Sequence, residues 1–321
     1  MKKAILLATL AIVAIAGCTV PNVSNIFPVT NTVIGGTGMV MTSYAADQSE
    51  VYSSQTDRIM MTVSNAGGHL VPYTEALVYL TGSALNPSCT DTKTCWTGAS
   101  TQIQYFTPKD MKPADPIRDI PADEKTFTWS YTSPNISRGE QNSYLFIGRV
   151  YYDYQTKVTG NIWVYTQDEA DAQRAAGKSL QTSTWSATAG PVAVVAKATQ
   201  DPVVLYGTEN TITLVIKVSN AGGGVLYQKG SITDYDSAAE SNLKLTADEL
   251  NRVSISGSVG GTDLPPSCSG PQELVGGKPL TLTCDVALST TPTTFQGYPI
   301  TITADYGYYT EQSTSVTVSG R

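Results

Sequence analysis

Histidine is almost missing from this sequence, with His69 alone among 321 residues. Charge is scarce too, since Asp, Glu, Lys and Arg make up 15% against about 25% in ordinary soluble domains. One histidine cannot complete a Cys/His zinc set. With no Gly-x-Ser-x-Gly elbow to accompany it, a Ser/His/Asp triad has no visible basis, and His69 reads as a structural or surface residue. The 20 basic residues form no cluster and face 27 acidic ones, for a net charge of −7, which argues against a nucleic-acid partner. No phosphate-cradling Gly loop with Lys and no dinucleotide fingerprint is present. Asp234, Asp236 and Glu240 resemble part of a calcium loop in spacing but lack its Gly and terminal acid, so a solvated acidic loop is expected. These absences predict no cofactor, no metal and a protein that is not an enzyme.

What charge leaves vacant is filled by Ser, Thr, Asn, Gln, Gly and 18 Tyr, the texture of an extracellular β-protein. The first residues agree. Lys2 and Lys3 precede an apolar run over 4–15, and Ile15-Ala16-Gly17-Cys18 follows at once. A twelve-residue run is too short to span a bilayer, which takes about 20, so 1–17 reads as a signal peptide. The small pair before Cys18 resembles a lipobox, which implies that Cys18 is the lipid attachment site and the new N-terminus. The partner implied first is therefore a membrane, reached through a lipid anchor. Residues 18–37 carry Pro21, Pro28, Gly35 and Gly36 without an apolar period and read as a tether with a reach of about 25 Å.

Removing Cys18 leaves four cysteines in two close pairs, Cys89 with Cys95 and Cys268 with Cys284, neither at CxxC spacing. An even remainder in an exported chain predicts disulfides that act as local staples. Asn22 and Asn135 head Asn-x-Ser sequons and are glycosylation candidates if the source glycosylates exported proteins.

A repeat organises the rest. Residues 63–68, Val-Ser-Asn-Ala-Gly-Gly, recur letter for letter as 218–223. Asp47 and Tyr52 match Asp201 and Tyr206, and Tyr152-Asp153-Tyr154 matches Tyr306-Gly307-Tyr308, both 154 residues on. Three matches in one order indicate duplication. Ile59, Met61 and Val63 fall on one face opposite Met60, Thr62 and Ser64, and Leu214, Ile216 and Val218 keep the same parity against Thr213, Val215 and Lys217, which marks half-buried strands ending at Asn-Ala-Gly-Gly turns. The predicted fold is all-β: two tandem immunoglobulin-like β-sandwich domains, 38–166 and 189–321, each with its own core. Between them, 167–188 reads as a short helix and linker. Thr166-Gln167-Asp168-Glu169 is a capping box and Gly177 suits the position past the helix end.

The 47–52 segment, the alternating strand and the Val-Ser-Asn-Ala-Gly-Gly turn resemble the opening hairpin of CARDB-type and related Ig-like β-sandwich repeats of bacterial and archaeal cell-surface proteins. The resemblance covers about thirty residues at the start of each copy. It implies a non-enzymatic surface lipoprotein serving as envelope spacer, adhesin or assembly subunit, with other envelope proteins or glycans as further partners. The departure is an insertion over 86–133. Its Cys89–Cys95 loop with Trp96, Tyr105 and Phe106 is the candidate binding loop, and covering an open sheet edge is the plainer use of such a loop. A ligand-binding lipoprotein, for example one stacking sugars on exposed aromatics, is the alternative.

Overall fold

A computed structural model of the chain describes residues 36–85, 95–98 and 101–321. The signal segment, most of the tether, Cys18, Asn22 and Cys89 lie outside the described residues. The first repeat supplies β1 (Met39–Ala46), β2 (Glu50–Tyr52), β3 (Thr56–Asn65), β4 (Ala76–Thr81), β5 (Ile103–Tyr105), β6 (Glu124–Thr132) and β7 (Gln141–Thr166). Helix α1 (Gln167–Ala175) and β8 (Thr184–Ala187) follow. The second repeat supplies β9 (Val192–Ala198), β10 (Val203–Leu205), β11 (Thr211–Asn220), β12 (Val225–Tyr227), β13 (Arg252–Val259), β14 (Thr262–Asp263), β15 (Gly270–Glu273), β16 (Leu280–Ala287) and β17 (Phe295–Ser319). The protein is nearly all-β, and no described helix is long and apolar enough to cross a membrane.

Each repeat forms an antiparallel three-stranded sheet, β1-β3-β6 in the first and β9-β11-β16 in the second. Period-two alternation builds both. Ile59, Met61 and Val63 on β3, and Leu214, Ile216 and Val218 on β11, are buried on one face, where their removal from water drives the packing. A larger sheet in the order β14-β13-β17-β7-β4-β5 lies against them. At its centre β7 and β17 pair antiparallel from Phe295↔Tyr165 to Ser319↔Gln141.

This ladder corrects the expectation of two sandwiches with separate cores. Its register sets Tyr152 opposite Tyr308 and Tyr154 opposite Tyr306. With counterparts 154 residues apart, Asp153 is the residue that faces its own counterpart, Gly307, so a pseudo-twofold axis passes through that pair. The short strands obey the same axis. β2 pairs in parallel with the end of β17 (Val318↔Val51), and β10 pairs in parallel with the end of β7 (Val204↔Tyr165). Each repeat thus lends a strand to the other's long strand, as the two halves of an isologous dimer would. One hydrophobic core runs through both, from Met39, Trp129 and Val150 to Val218, Ile255 and Tyr306.

Two local expectations also change. The 86–133 segment is not simply an insertion, because it contains β6, the third strand of the first sheet, with Phe127, Trp129 and Tyr131 buried on one face. The predicted linker contains β8, which pairs with β7 (Trp185↔Gly160). The helix signals act as read: Thr166 Oγ1 accepts from Glu169 N, and Gly177 adopts φ 70° after the last turn, the left-handed region where glycine carries no Cβ penalty.

Candidate functional site

The pseudo-twofold seam collects the densest chemistry. Tyr152, Tyr154, Tyr306 and Tyr308 point to one side of the ladder and are all buried. Tyr154 Oη accepts the His69 amide at 3.0 Å, and Tyr308 Oη accepts the Gly224 amide at 2.7 Å. Tyr306 Oη accepts the Val192 amide at 3.3 Å and shares a 2.7 Å hydrogen bond with Thr156. The Asn-Ala-Gly-Gly turns close beneath them. Asn65 Nδ2 donates to His69 O at 2.7 Å, and Asn220 Nδ2 donates to Gly224 O at 2.9 Å. The matched Tyr-x-Tyr pairs therefore bolt each repeat's turn to the shared ladder. Burial pushes the Tyr154 hydroxyl up to about 12, because the phenolate loses its hydration.

The opposite face is buried as well, under the segment between β12 and β13. Tyr235 Oη donates to Asp153 Oδ1 at 2.8 Å and shares a 2.9 Å bond with Tyr227 Oη. Asp153 is 4% exposed. Burial raises its carboxyl to about 6, opposed by the Tyr235 hydrogen bond and the Lys229 cation. His69 lies edge-on to Tyr154 at 5.3 Å between centroids, and burial, with Lys229 beside it, lowers its pKa. These groups hold the seam shut, and period-two alternation does not reveal them, because Tyr151 and Asp153 stand out of phase with Tyr152 and Tyr154.

The predicted site residues are placed as follows. Cys268 and Cys284 are bonded. Cys95 is disulfide-bonded, and its expected partner Cys89 lies outside the described residues. The Cys268–Cys284 bond fits an oxidising, extracellular or surface environment. Asn135 is exposed. The candidate binding loop is corrected. Trp96 packs edge-on against Phe146 at 5.2 Å and Phe106 against Phe127 at 4.9 Å, both buried, while Tyr105 Oη donates to Ala238 O at 3.2 Å. That segment covers the β6 edge, where Gln104 Nε2 donates to Thr128 O at 2.8 Å. Asp234 and Asp236 gather no metal set, since no group of three ligating side chains occurs among the described residues. Glu240 accepts from Tyr79 Oη at 2.8 Å.

Surface aromatics include Phe295 and two tyrosines at matched turns, with Tyr52 46% exposed and its counterpart Tyr206 50% exposed. Two polar cavities adjoin the Tyr206 turn. One of about 580 Å³ is lined by residues including Asp168, Thr208 and Glu209, and one of about 260 Å³ by residues including Gln200, Tyr206 and Glu209. Repeat matching supplied the two tyrosines but carried no sign of these cavities.

No protein-family model and no curated protein matches the chain. Similar solved structures include the secreted serine protease VesC from Vibrio cholerae, at 9% identity and TM-score 0.19, covering 87% of this chain and 50% of that one. The chain thus spans half the length of VesC. Others are the Enterococcus faecalis MSCRAMM ACE, which binds its ligands by the collagen hug model, at 9% identity, TM-score 0.16 and coverage of 88% and 95%, and the collagen adhesin CNA from S. aureus, at 8%, 0.10 and coverage of 87% and 92%. The expectation that the chain is not an enzyme is corrected here. The neighbour that stands against it is the secreted serine protease. TM-scores of this size assign no reaction and no ligand.

Proposed function

We propose that the protein is a membrane-tethered, adhesin-like surface module acting as envelope spacer, adhesin or assembly subunit. The observation that supports this most is the Cys268–Cys284 disulfide in a nearly all-β body, a combination suited to an oxidising exterior. The lipobox-like Ile15-Ala16-Gly17-Cys18 supplies the anchor, with diacyl modification of Cys18 because one chain gives only marginal membrane binding. The CARDB-type resemblance of the opening hairpins favours the same class. The ladder that fuses the repeats gives a body with no hinge between its halves, which suits transmission of load from a partner to the tether.

Fractionation with surface proteolysis tests this. The native chain should sediment with membranes and be cleaved by protease added to intact cells, whereas Cys18→Ser should appear in the soluble exported fraction. Membrane retention of Cys18→Ser, or full protection of the native chain, would contradict the proposal. A second reading, a ligand-binding surface lipoprotein, is favoured by the exposed Tyr206 ring beside two polar cavities.

A further inference from the structure

The turn between β10 and β11 is the counterpart of the turn between β2 and β3, and the two are built alike. The Tyr52 amide is accepted by Gln55 Oε1 at 3.1 Å, and the Tyr206 amide by Glu209 Oε2 at 3.4 Å. Gln55 N and Glu209 N each return a bond to the tyrosine carbonyl at 3.1 Å. What covers them differs. In the first repeat Ser133 Oγ donates to Tyr52 O at 2.7 Å and accepts from Gln55 N at 3.1 Å. Ser53 Oγ is bonded to the Ile136 carbonyl and amide at 3.2 and 3.1 Å. The Arg321 guanidinium lies over the Tyr52 ring, 4.0 Å from its centroid. That turn is closed and its aromatic face occupied.

In the second repeat the residues that correspond to Ser53 and Ser133 are Gly207 and Leu288, and neither side chain can make those bonds. Among the described residues no ring or cation lies over the Tyr206 ring, which is half exposed. The uncovered space is the pair of cavities, which share Leu205 and Glu209 in their linings and so adjoin. Neither is lined by Lys or Arg.

We propose that Tyr206 and these adjoining cavities form a binding site for a neutral oligosaccharide. This deepens the ligand-binding reading and rests on it. An exposed tyrosine ring offers a flat apolar face to the C–H face of a pyranose. The carboxylates of Glu209 and Asp168 accept hydrogen bonds from vicinal sugar hydroxyls, while Thr208 and Gln200 both donate and accept. The larger cavity falls within the ~300–1,000 Å³ usual for small-molecule sites. Two carboxylates with no lining cation repel an anionic sugar, so the site selects neutral chains. The turn is fixed in advance by the Glu209 bonds and by buried β10, which lowers the ordering cost of binding.

Calorimetric titration of the full chain with cello-, malto- and mannohexaose, and with an oligogalacturonate hexamer as the anionic probe, tests the site. At least one neutral hexasaccharide should bind with Kd at or below about 1 mM, with the anionic one weaker. Tyr206→Ala should weaken binding at least tenfold, and Tyr52→Ala should leave it unchanged. Asp168→Asn, at the far cavity, should weaken it about threefold, which keeps the test sharp if Tyr206→Ala misfolds. No binding of any neutral probe, equal binding by Tyr206→Ala, or preference for the anionic hexamer would overturn the proposal. Fractionation and surface proteolysis read the surface assignment separately, so failure of the sugar site is distinguishable from failure of that assignment.

Discussion

Asp153 stands directly opposite Gly307 in the central ladder, and each is the other's counterpart in the repeat. Two aspartates at this point would place like charges face to face. Glycine resolves the conflict and makes room for Tyr227, since a Cβ at Gly307 would fall 1.9 Å from that ring. Tyr227 in turn bonds Tyr235, which bonds Asp153.

Gly307→Ala should therefore be costly although glycine in a strand is usually a weakness. Tyr227 is fully buried and cannot yield, so overpacking predicts a loss of about 3 kcal/mol. Urea unfolding midpoints at constant m-value measure it.

Asp153 makes stability depend on pH with a definite sign. Its folded carboxyl titrates near 6 against an ordinary 3.8, so the folded state holds the proton more tightly. The stabilising contribution is full below about pH 4 and lost as pH rises through about 6, with an upper size of about 3 kcal/mol. Asp153→Asn keeps an acceptor for Tyr235, should raise stability at pH 7 by about 1–3 kcal/mol, and should flatten this pH window. Urea unfolding at pH 4.5 and 7 in both proteins checks the sign.

The tyrosine bolts predict matched losses in the two repeats. Tyr154→Phe removes the acceptor of the His69 amide, and Tyr308→Phe removes that of the Gly224 amide. Each should cost about 1 kcal/mol, the net worth of a part-buried hydrogen bond. Thermal unfolding should show both losses as a shift of one transition rather than the appearance of a second.

The Cys268–Cys284 bond spans a sequence separation of 16, and a loop of that length contributes about 3 kcal/mol in the chain-entropy model. Cys268→Ser with Cys284→Ser should lower the unfolding midpoint accordingly and leave the far-UV circular dichroism of the folded protein unchanged.

The strand faces around Ile59 and Leu214 are legible in the sequence because one face is wet and period-two alternation survives. The role of Tyr152-Asp153-Tyr154 is only half legible. Alternation marks Tyr152 and Tyr154 as inward, yet nothing local shows that the β12–β13 segment returns to bury Tyr151 and Asp153, since that contact is made 82 residues away along the chain. Repeat matching finds both copies but not their joining, because an offset records likeness and not adjacency. Trp96 and Phe106 read as binding residues for the same reason. Composition cannot show that Phe127 and Phe146 wait beneath them. The Tyr206 cavities depend on what is missing over a turn, Ser53 giving way to Gly207 and Ser133 to Leu288, a difference that gains meaning only once the turns are superposed.

The claim on which the rest depends is that β7 and β17 make the repeats one body. A protease site placed between α1 and β8, at residues 178–182, allows the folded chain to be cut there with both repeats intact. Size-exclusion chromatography of the cleaved protein should give a single peak containing both fragments, eluting with the uncut protein and dissociating only in denaturant. Two folded fragments that separate under native conditions would contradict the account.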